Sequence, residues 1–283
     1  MTQNAPRIRP GVSPTTREEY EAYPAVHYST LKYMMQSPLH YRYAATHPTP
    51  ETPAMLLGRA THTAVFEPDR LPLEYVVWPH RRQGRDWDEF KAAAESAGKT
   101  VLNGDEYQTA LDIRDSVRGQ AAAAAMLHRG RPEVMLAWQN QETGLDVKGR
   151  LDWIASLADG SGAIIDLKTT ADISPRIFAA HAWRLGYYHQ AAMYQEGYAA
   201  TSGGTVLPCY IIAVESKPPH ACTVYSLPAE SVAAAWDQYV GWLRAVLECR
   251  ASGVWPGPVE EAELPAPSWA VSDAEVDFGG IGE

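Results

Sequence analysis

The sequence predicts an α/β protein in which helices fold onto one central sheet. Three observations carry that expectation. Residues 132–168 hold three apolar runs separated by turn-forming clusters, which reads as an antiparallel meander. Residues 175–200 then read as two helices, and 209–227 return to strand. Lastly, residues 229–252 place Val232, Trp236, Tyr239, Val240, Leu243 and Leu247 at helical spacing.

In chain order, residues 1–26 are rich in Pro, Thr and charge and read as a flexible N-terminal arm. Ser29 is placed as an N-cap, with Leu31, Met34 and Met35 at helical spacing before Ser37-Pro38. A second short helix carries His40, Tyr41 and Tyr43, and residues 47–53 are a Pro-rich connector. Residues 54–66 form a helix that includes Gly58 and His62. Residues 73–78 are a strand candidate. Residues 88–97 and 104–127 are helical, the latter broken near Gly119. Residues 27–130 are thus mostly helical and 131–256 form the core, together one domain; 257–283 is a Pro-rich acidic tail.

Strands are expected at 133–139, 145–155 and 163–168, with turns at 141–144 and 159–162. Side chains alternate across a strand, so Arg150, Asp152 and Ile154 are expected on one face of the second and Asp166 and Lys168 on one face of the third. Two carboxylates and an ammonium then meet at one hairpin. Hydrolysing a phosphodiester needs neutralised phosphate charge, a nucleophilic water and a stabilised leaving oxygen. Hard oxygen ligands such as Asp suit Mg²⁺, which serves all three needs. A plain Lys–Asp ion pair is the ordinary reading of an isolated Asp-x-Lys, but Asp166 and Lys168 end an apolar strand one hairpin from Asp152.

Other residues add to this set. Glu133 is a candidate further acid, with a surface glutamate an equal reading. His62 can complete a magnesium shell, although a histidine on an apolar helix more often serves a neighbour. Gln190 and Tyr194, four apart, share a helix face. Arg81, Arg82 and Arg85 with Trp87 form a basic, aromatic stretch suited to phosphate contact and stacking; a solvated loop is the ordinary alternative.

Composition excludes several classes. The 283 residues carry a formal charge of −10, unlike a basic nucleic-acid coat protein. Cys209, Cys222 and Cys249 form no Cys-x-x-Cys pair, so neither a zinc ribbon nor an iron–sulfur cluster is expected. No apolar run reaches the ~20 residues of a membrane span, and a cytoplasmic protein is expected. Gly-x-x-x-x-Gly-Lys, Gly-x-Ser-x-Gly and His-Glu-x-x-His are all absent.

The ordered series resembles the PD-(D/E)XK nuclease superfamily and, within it, the RecE-like exonucleases of the exonuclease VIII type. It runs from Gly58 through His62, Gly149-Arg150-Leu151-Asp152, and Asp166-Leu167-Lys168-Thr169-Thr170 to Gln190 and Tyr194. The acid of the Asp-x-Lys motif is Asp166, where either acid is allowed. The resemblance implies a restriction-endonuclease-like core with a central mixed β-sheet flanked by helices. It implies a Mg²⁺-dependent 5′→3′ exonuclease on double-stranded DNA ends, with Mn²⁺ able to substitute, leaving 3′ single-stranded tails. His62, Asp152, Asp166 and the carbonyl of Leu167 would hold the ion, Lys168 would direct water, and Gln190 and Tyr194 would support the site. Arg81, Arg82, Arg85, Trp87 and Arg150 are candidate DNA contacts. The resemblance further implies a homo-oligomeric ring and a single-strand annealing partner, in a phage or prophage setting. A catalytically silent DNA-end-binding module, or a nuclease of other polarity, are the competing readings.

Overall fold

The computed structural model describes residues 17–47 and 50–265. The expected arm over 1–16, Pro48 and Thr49 of the connector, and the tail beyond 265 lie outside the described residues.

The chain begins with α1 (Arg17–Ala22), β1 (Val26–His27) and α2 (Tyr28–Leu31). This departs from an arm reaching residue 26. The physical reason lies far along the chain: the buried Lys148 ammonium donates to the carbonyls of Tyr20 (2.6 Å), Glu21 (3.2 Å) and Tyr23 (2.7 Å). A cation thus caps the C-terminal carbonyls of α1, which nothing local to that segment could foretell. Ser29 is not the N-cap; His27 precedes the helix, and Ser29 Oγ bonds His27 Nδ1 at 2.7 Å.

Next come α3 (Pro38–Thr46), capped by Ser37, and α4 (Pro53–Phe66), capped by Thr52. Both carry Pro in the first turn, where its missing N–H costs nothing. Then follow α5 (Leu71–Glu74), β2 (Tyr75–Trp78), α6 (Arg85–Ser96) and β3 (Thr100–Asn103). The strand expected over 73–78 is therefore helical at its start, and β3 is an element that four residues did not signal. β2 and β3 pair in parallel as a small separate sheet. α7 (Gly104–Gly119) opens on a capping box between Asn103 and Glu106, and Gln120 divides it from α8 (Ala121–Leu127).

The core comprises β4 (Gly130–Gln139), β5 (Asp146–Ser156), β6 (Gly162–Thr170), α9 (Pro175–Arg184), α10 (Tyr187–Thr201), β7 (Cys209–Glu215), β8 (Cys222–Ser226) and α11 (Ala229–Ser252). β4, β5 and β6 are antiparallel, as expected. β6 and β7 run parallel, with α9 and α10 as the crossover, and β8 returns antiparallel. Among the described residues the sheet is mixed and has six strands.

Helices cover both faces. On one face Leu31, Val147, Leu151, Met193, Tyr239 and Leu243 pack from α2, β5, α10 and α11. On the other, Val65, Ile113, Leu127, Trp153, Ile165 and Ile212 pack from α4, α7, α8 and the sheet. Burying such side chains stabilises the fold by roughly 1.5–3 kcal/mol each.

One irregularity positions the site. Leu151 and Ile154 belong to the first core, but Trp153 and Ala155 to the second. Strict alternation therefore slips between 151 and 154, and Ile154 does not share a face with Arg150 and Asp152 as the two-residue period predicts. Opposite this slip in the β4–β5 register, Glu133 adopts a left-handed backbone with φ 49°.

Candidate active site

β5 has two neighbours on the edge away from β4. β1 pairs with it at Val147 and Lys148, and β6 pairs with it only from Trp153 onward. Residues 149–152 lie in the fork between them. There Asp152 Oδ2 accepts a hydrogen bond from the Leu167 backbone N–H at 3.0 Å, so a carboxylate takes the place of ladder pairing. The fork opens into a cleft of about 1060 Å³ whose walls include α1, α2, α4, β4, β5, β6 and α10.

On the β5 side, α4 delivers His62, whose Nδ1 stands 3.4 Å from Asp152 Oδ2. His62, Glu133 and Asp152 each offer a ligand atom, all within 4.8 Å of one another, a spacing that could hold a metal ion. Arg150 Nε lies 2.8 Å from Glu133 Oε2. Burial raises the Glu133 pKa, partly offset by Arg150. Burial also opposes charge on Asp152, but His62, Lys168 and the Leu167 N–H outweigh it and hold that carboxyl below its ordinary value. For His62 too, burial is outweighed by the Asp152 carboxylate, so its pKa is raised.

On the β6 side, Lys168 Nζ lies 2.7 Å from Asp166 Oδ2 and donates to Gln190 Oε1 at 3.0 Å. Gln190 Nε2 in turn donates to Tyr194 Oη at 2.8 Å, and the Lys168 ammonium sits over the Tyr187 ring. Both Asp166 oxygens are buried; Oδ2 has the Lys168 ammonium at 2.7 Å, and no other described group hydrogen-bonds to either oxygen. Burial pushes the Asp166 pKa up to about 6. Burial works against the Lys168 charge, but Asp166 and Asp152 outweigh it and raise its pKa.

Asp166, a buried carboxylate facing Lys168, lines the same cleft as the His62, Glu133 and Asp152 cluster, and these residues are a donor set that fits a hard divalent cation. The fold also explains the glycine of Gly-Arg-x-Asp. A Cβ on Gly149 would lie 3.0 Å from Cε1 of Tyr194, so the ring can pack on the strand only where no side chain stands.

His62, Glu133, Arg150, Asp152, Asp166, Lys168, Gln190 and Tyr194 all line this cleft. The tight triad includes Glu133 and leaves out Asp166, the reverse of their weights in the sequence. For Leu167, the structure gives a buried side chain and the N–H bond to Asp152. Arg81, Arg82, Arg85 and Trp87 are not among the cleft residues. Arg82 pairs with Glu106 at 2.5 Å and lies over Trp87, and Arg85 pairs with Glu89 at 2.6 Å. Sequence reading missed Lys32, Arg59 and Tyr187 of the cleft. Arg59 precedes His62 by one helical turn, a spacing that could have flagged it. Tyr187 opens the motif that carries Gln190 and Tyr194, whereas Lys32 carried no such signal.

Comparison with known proteins agrees with the fold. The structure resembles that of a Eubacterium rectale protein provisionally described as an exonuclease, with TM-score 0.62 and 16% identity, over 93% of this chain and 99% of that one. Weaker likenesses are to SSO0001 (TM-score 0.32, 13% identity, 76% of this chain and 75% of that one) and to VC1899 from Vibrio cholerae (0.22, 14%, 79% and 57%). No curated protein matches significantly. Among the described residues, no helix is long and apolar enough to cross a membrane. Residues 27–266 match the family described as a PDDEXK-like domain of unknown function (DUF3799), and the chain belongs to that family.

Proposed function

We propose that this protein is a divalent-cation-dependent DNA exonuclease that degrades linear duplex 5′→3′ and leaves 3′ single-stranded tails. The observation that carries the reading is Asp166. Its two buried oxygens have the Lys168 ammonium as their one close polar partner among the described residues and lie in one cleft with the His62–Glu133–Asp152 triad. Family and fold together support a nuclease. The polarity, the use of Mg²⁺ or Mn²⁺, a homo-oligomeric ring and an annealing partner rest on the resemblance of the motif series.

In this reading His62, Asp152, Asp166 and the Leu167 carbonyl would hold the cation, with Glu133 as a further acid. Such a cation neutralises phosphate charge and makes bound water a better nucleophile. Lys168 has three N–H donors; one is given to Gln190 and one faces Asp166, which leaves a third to direct a water toward phosphorus. Gln190, braced by Tyr194, fixes the ammonium rather than touching the reacting atoms. Arg150 on the cleft wall meets the DNA backbone. Hydrolysis adds water across one P–O bond and consumes nothing else.

Digestion of linear duplex labelled at either the 5′ or the 3′ end tests polarity. In Mg²⁺ the 5′ label should leave first, as mononucleotide. First release of the 3′ label would reverse the polarity. Binding to duplex ends without any release would favour a silent end-binding module.

A further inference from the structure

Three arginines of the cleft are each held by glutamates of the same cleft. Arg59 donates to Glu51 twice, at 3.1 and 3.0 Å. Arg70 lies 2.9 Å from Glu67 and 2.5 Å from Glu74, and Arg150 lies 2.8 Å from Glu133. Lys and Arg side chains lining the cleft are outnumbered by carboxylates. A DNA strand approaching this cleft therefore meets a surface that is not net positive, and most of its arginines are already engaged.

The three pairs are not equivalent. Glu133 is the one glutamate of these pairs that also belongs to the metal-competent triad with His62 and Asp152. Its carboxylate has two claimants: the Arg150 guanidinium, and any cation the triad binds. A carboxylate drawn to a divalent ion is a poorer acceptor, and the ion repels a guanidinium beside it. Glu133 has a left-handed backbone and stands between Pro132 and Val134, which pair with Trp153 and Leu151 on either side of Asp152. Strain of this kind persists where surrounding structure imposes it, and it clusters at functional positions.

We infer that Arg150 is a cation-released phosphate-binding residue: latched to Glu133 when the triad holds no divalent ion, and freed by that ion to grip a DNA phosphate. Metal binding and DNA binding are then coupled through one ion pair. The guanidinium fork suits phosphate as well as carboxylate, so the same group serves both partners. The inference rests on the nuclease reading and adds to it an order of events: cation first, then DNA.

Fluorescence anisotropy with a labelled blunt duplex tests it, in EDTA and in Ca²⁺, for wild type, Glu133→Gln, Arg150→Gln and the double variant. Thermal melts confirm that each is folded, and Arg150→Lys serves as a milder variant that keeps the charge but loses the fork. The wild type should bind roughly tenfold more tightly in Ca²⁺ than in EDTA, within the usual span of coupling between sites. Glu133→Gln should bind tightly already in EDTA, and that gain should vanish when Arg150 is also replaced. An equal gain with and without Arg150 would mean only that a negative charge was removed, and would overturn the inference. So would wild-type binding indifferent to Ca²⁺. Nucleotide release in Mg²⁺, measured alongside, separates the two levels. Release with cation-indifferent binding sinks the latch alone; no binding and no release under any condition sinks the nuclease reading with it.

Discussion

The two sides of the cleft are built on opposite electrostatic plans. On the β5 side Asp152 has His62 and the Leu167 N–H, and Glu133 has Arg150. On the β6 side Asp166 has the Lys168 ammonium at 2.7 Å, and no described backbone N–H donates to it. Two aspartates across one hairpin are consequently pushed apart, Asp152 toward the ionised form and Asp166 toward the protonated one. Such divergence marks groups with different tasks. Both sides offer carboxylates to one cleft: the β5 side through the His62–Glu133–Asp152 cluster, the β6 side through Asp166, which already faces the Lys168 ammonium.

The largest effect to expect is on turnover. Asp152→Asn and Asp166→Asn should each lower nucleotide release by about 10³-fold or more, since in the proposed reading each removes a hard ligand. Retained turnover in either variant would remove that residue from the site. Lys168→Ala should lower kcat by about 10²-fold with duplex affinity nearly unchanged, as for a group acting on the water rather than the DNA. A proportional rise in KM with kcat intact would assign Lys168 to binding instead.

Stability without cation should split the two aspartates. The Asp152 carboxyl is depressed on folding, so its contribution is present above its ordinary 3.8 and lost as pH falls through the folded value. The Asp166 carboxyl is raised, so its contribution is full below 3.8 and lost as pH rises through about 6. In EDTA at pH 7, Asp152→Asn should therefore cost about 2 kcal/mol, by leaving His62 and the Leu167 N–H with a poorer partner. Asp166→Asn should leave the melting temperature unchanged or higher. Equal losses in both would erase the contrast between the two sides.

Much of the fold was legible in the sequence, for physical reasons. β7 and α11 match the expected 209–215 and 229–252, because apolar periodicity is strongest in elements buried against the core. β3 was missed because four residues carry no period. The slip at Asp152–Trp153 was invisible because alternation is a rule about regular strands, and the site lies where the strand is irregular. α1 could not be foreseen because Lys148 holds it from the far side of the chain. Of the site, the residues in short motifs were readable, while their pairing was not. The Arg150–Glu133 contact depends on β4–β5 register, and a lone glutamate at a strand start looks like any surface acid.

Smaller effects refine the picture. Gly149→Ala would press a methyl group onto Tyr194 and should cost about 1–3 kcal/mol. Turnover should fall with it as the Gln190–Tyr194 brace shifts; a neutral melt would mean that the ring moves freely. Replacing Arg81, Arg82 and Arg85 together by Gln should change duplex affinity by less than about threefold, because the loop stands outside the cleft and two of its arginines are paired on the surface. A tenfold loss would extend the DNA path to that loop.

The most direct test of the central claim is nucleotide release from linear duplex, with a closed circle beside it, by wild type and Asp166→Asn in Mg²⁺ and in EDTA. Wild type should degrade the linear DNA in Mg²⁺ alone and spare the circle, and the variant should release nothing. Degradation in EDTA, or equal activity in the variant, would contradict a cation site built around Asp166.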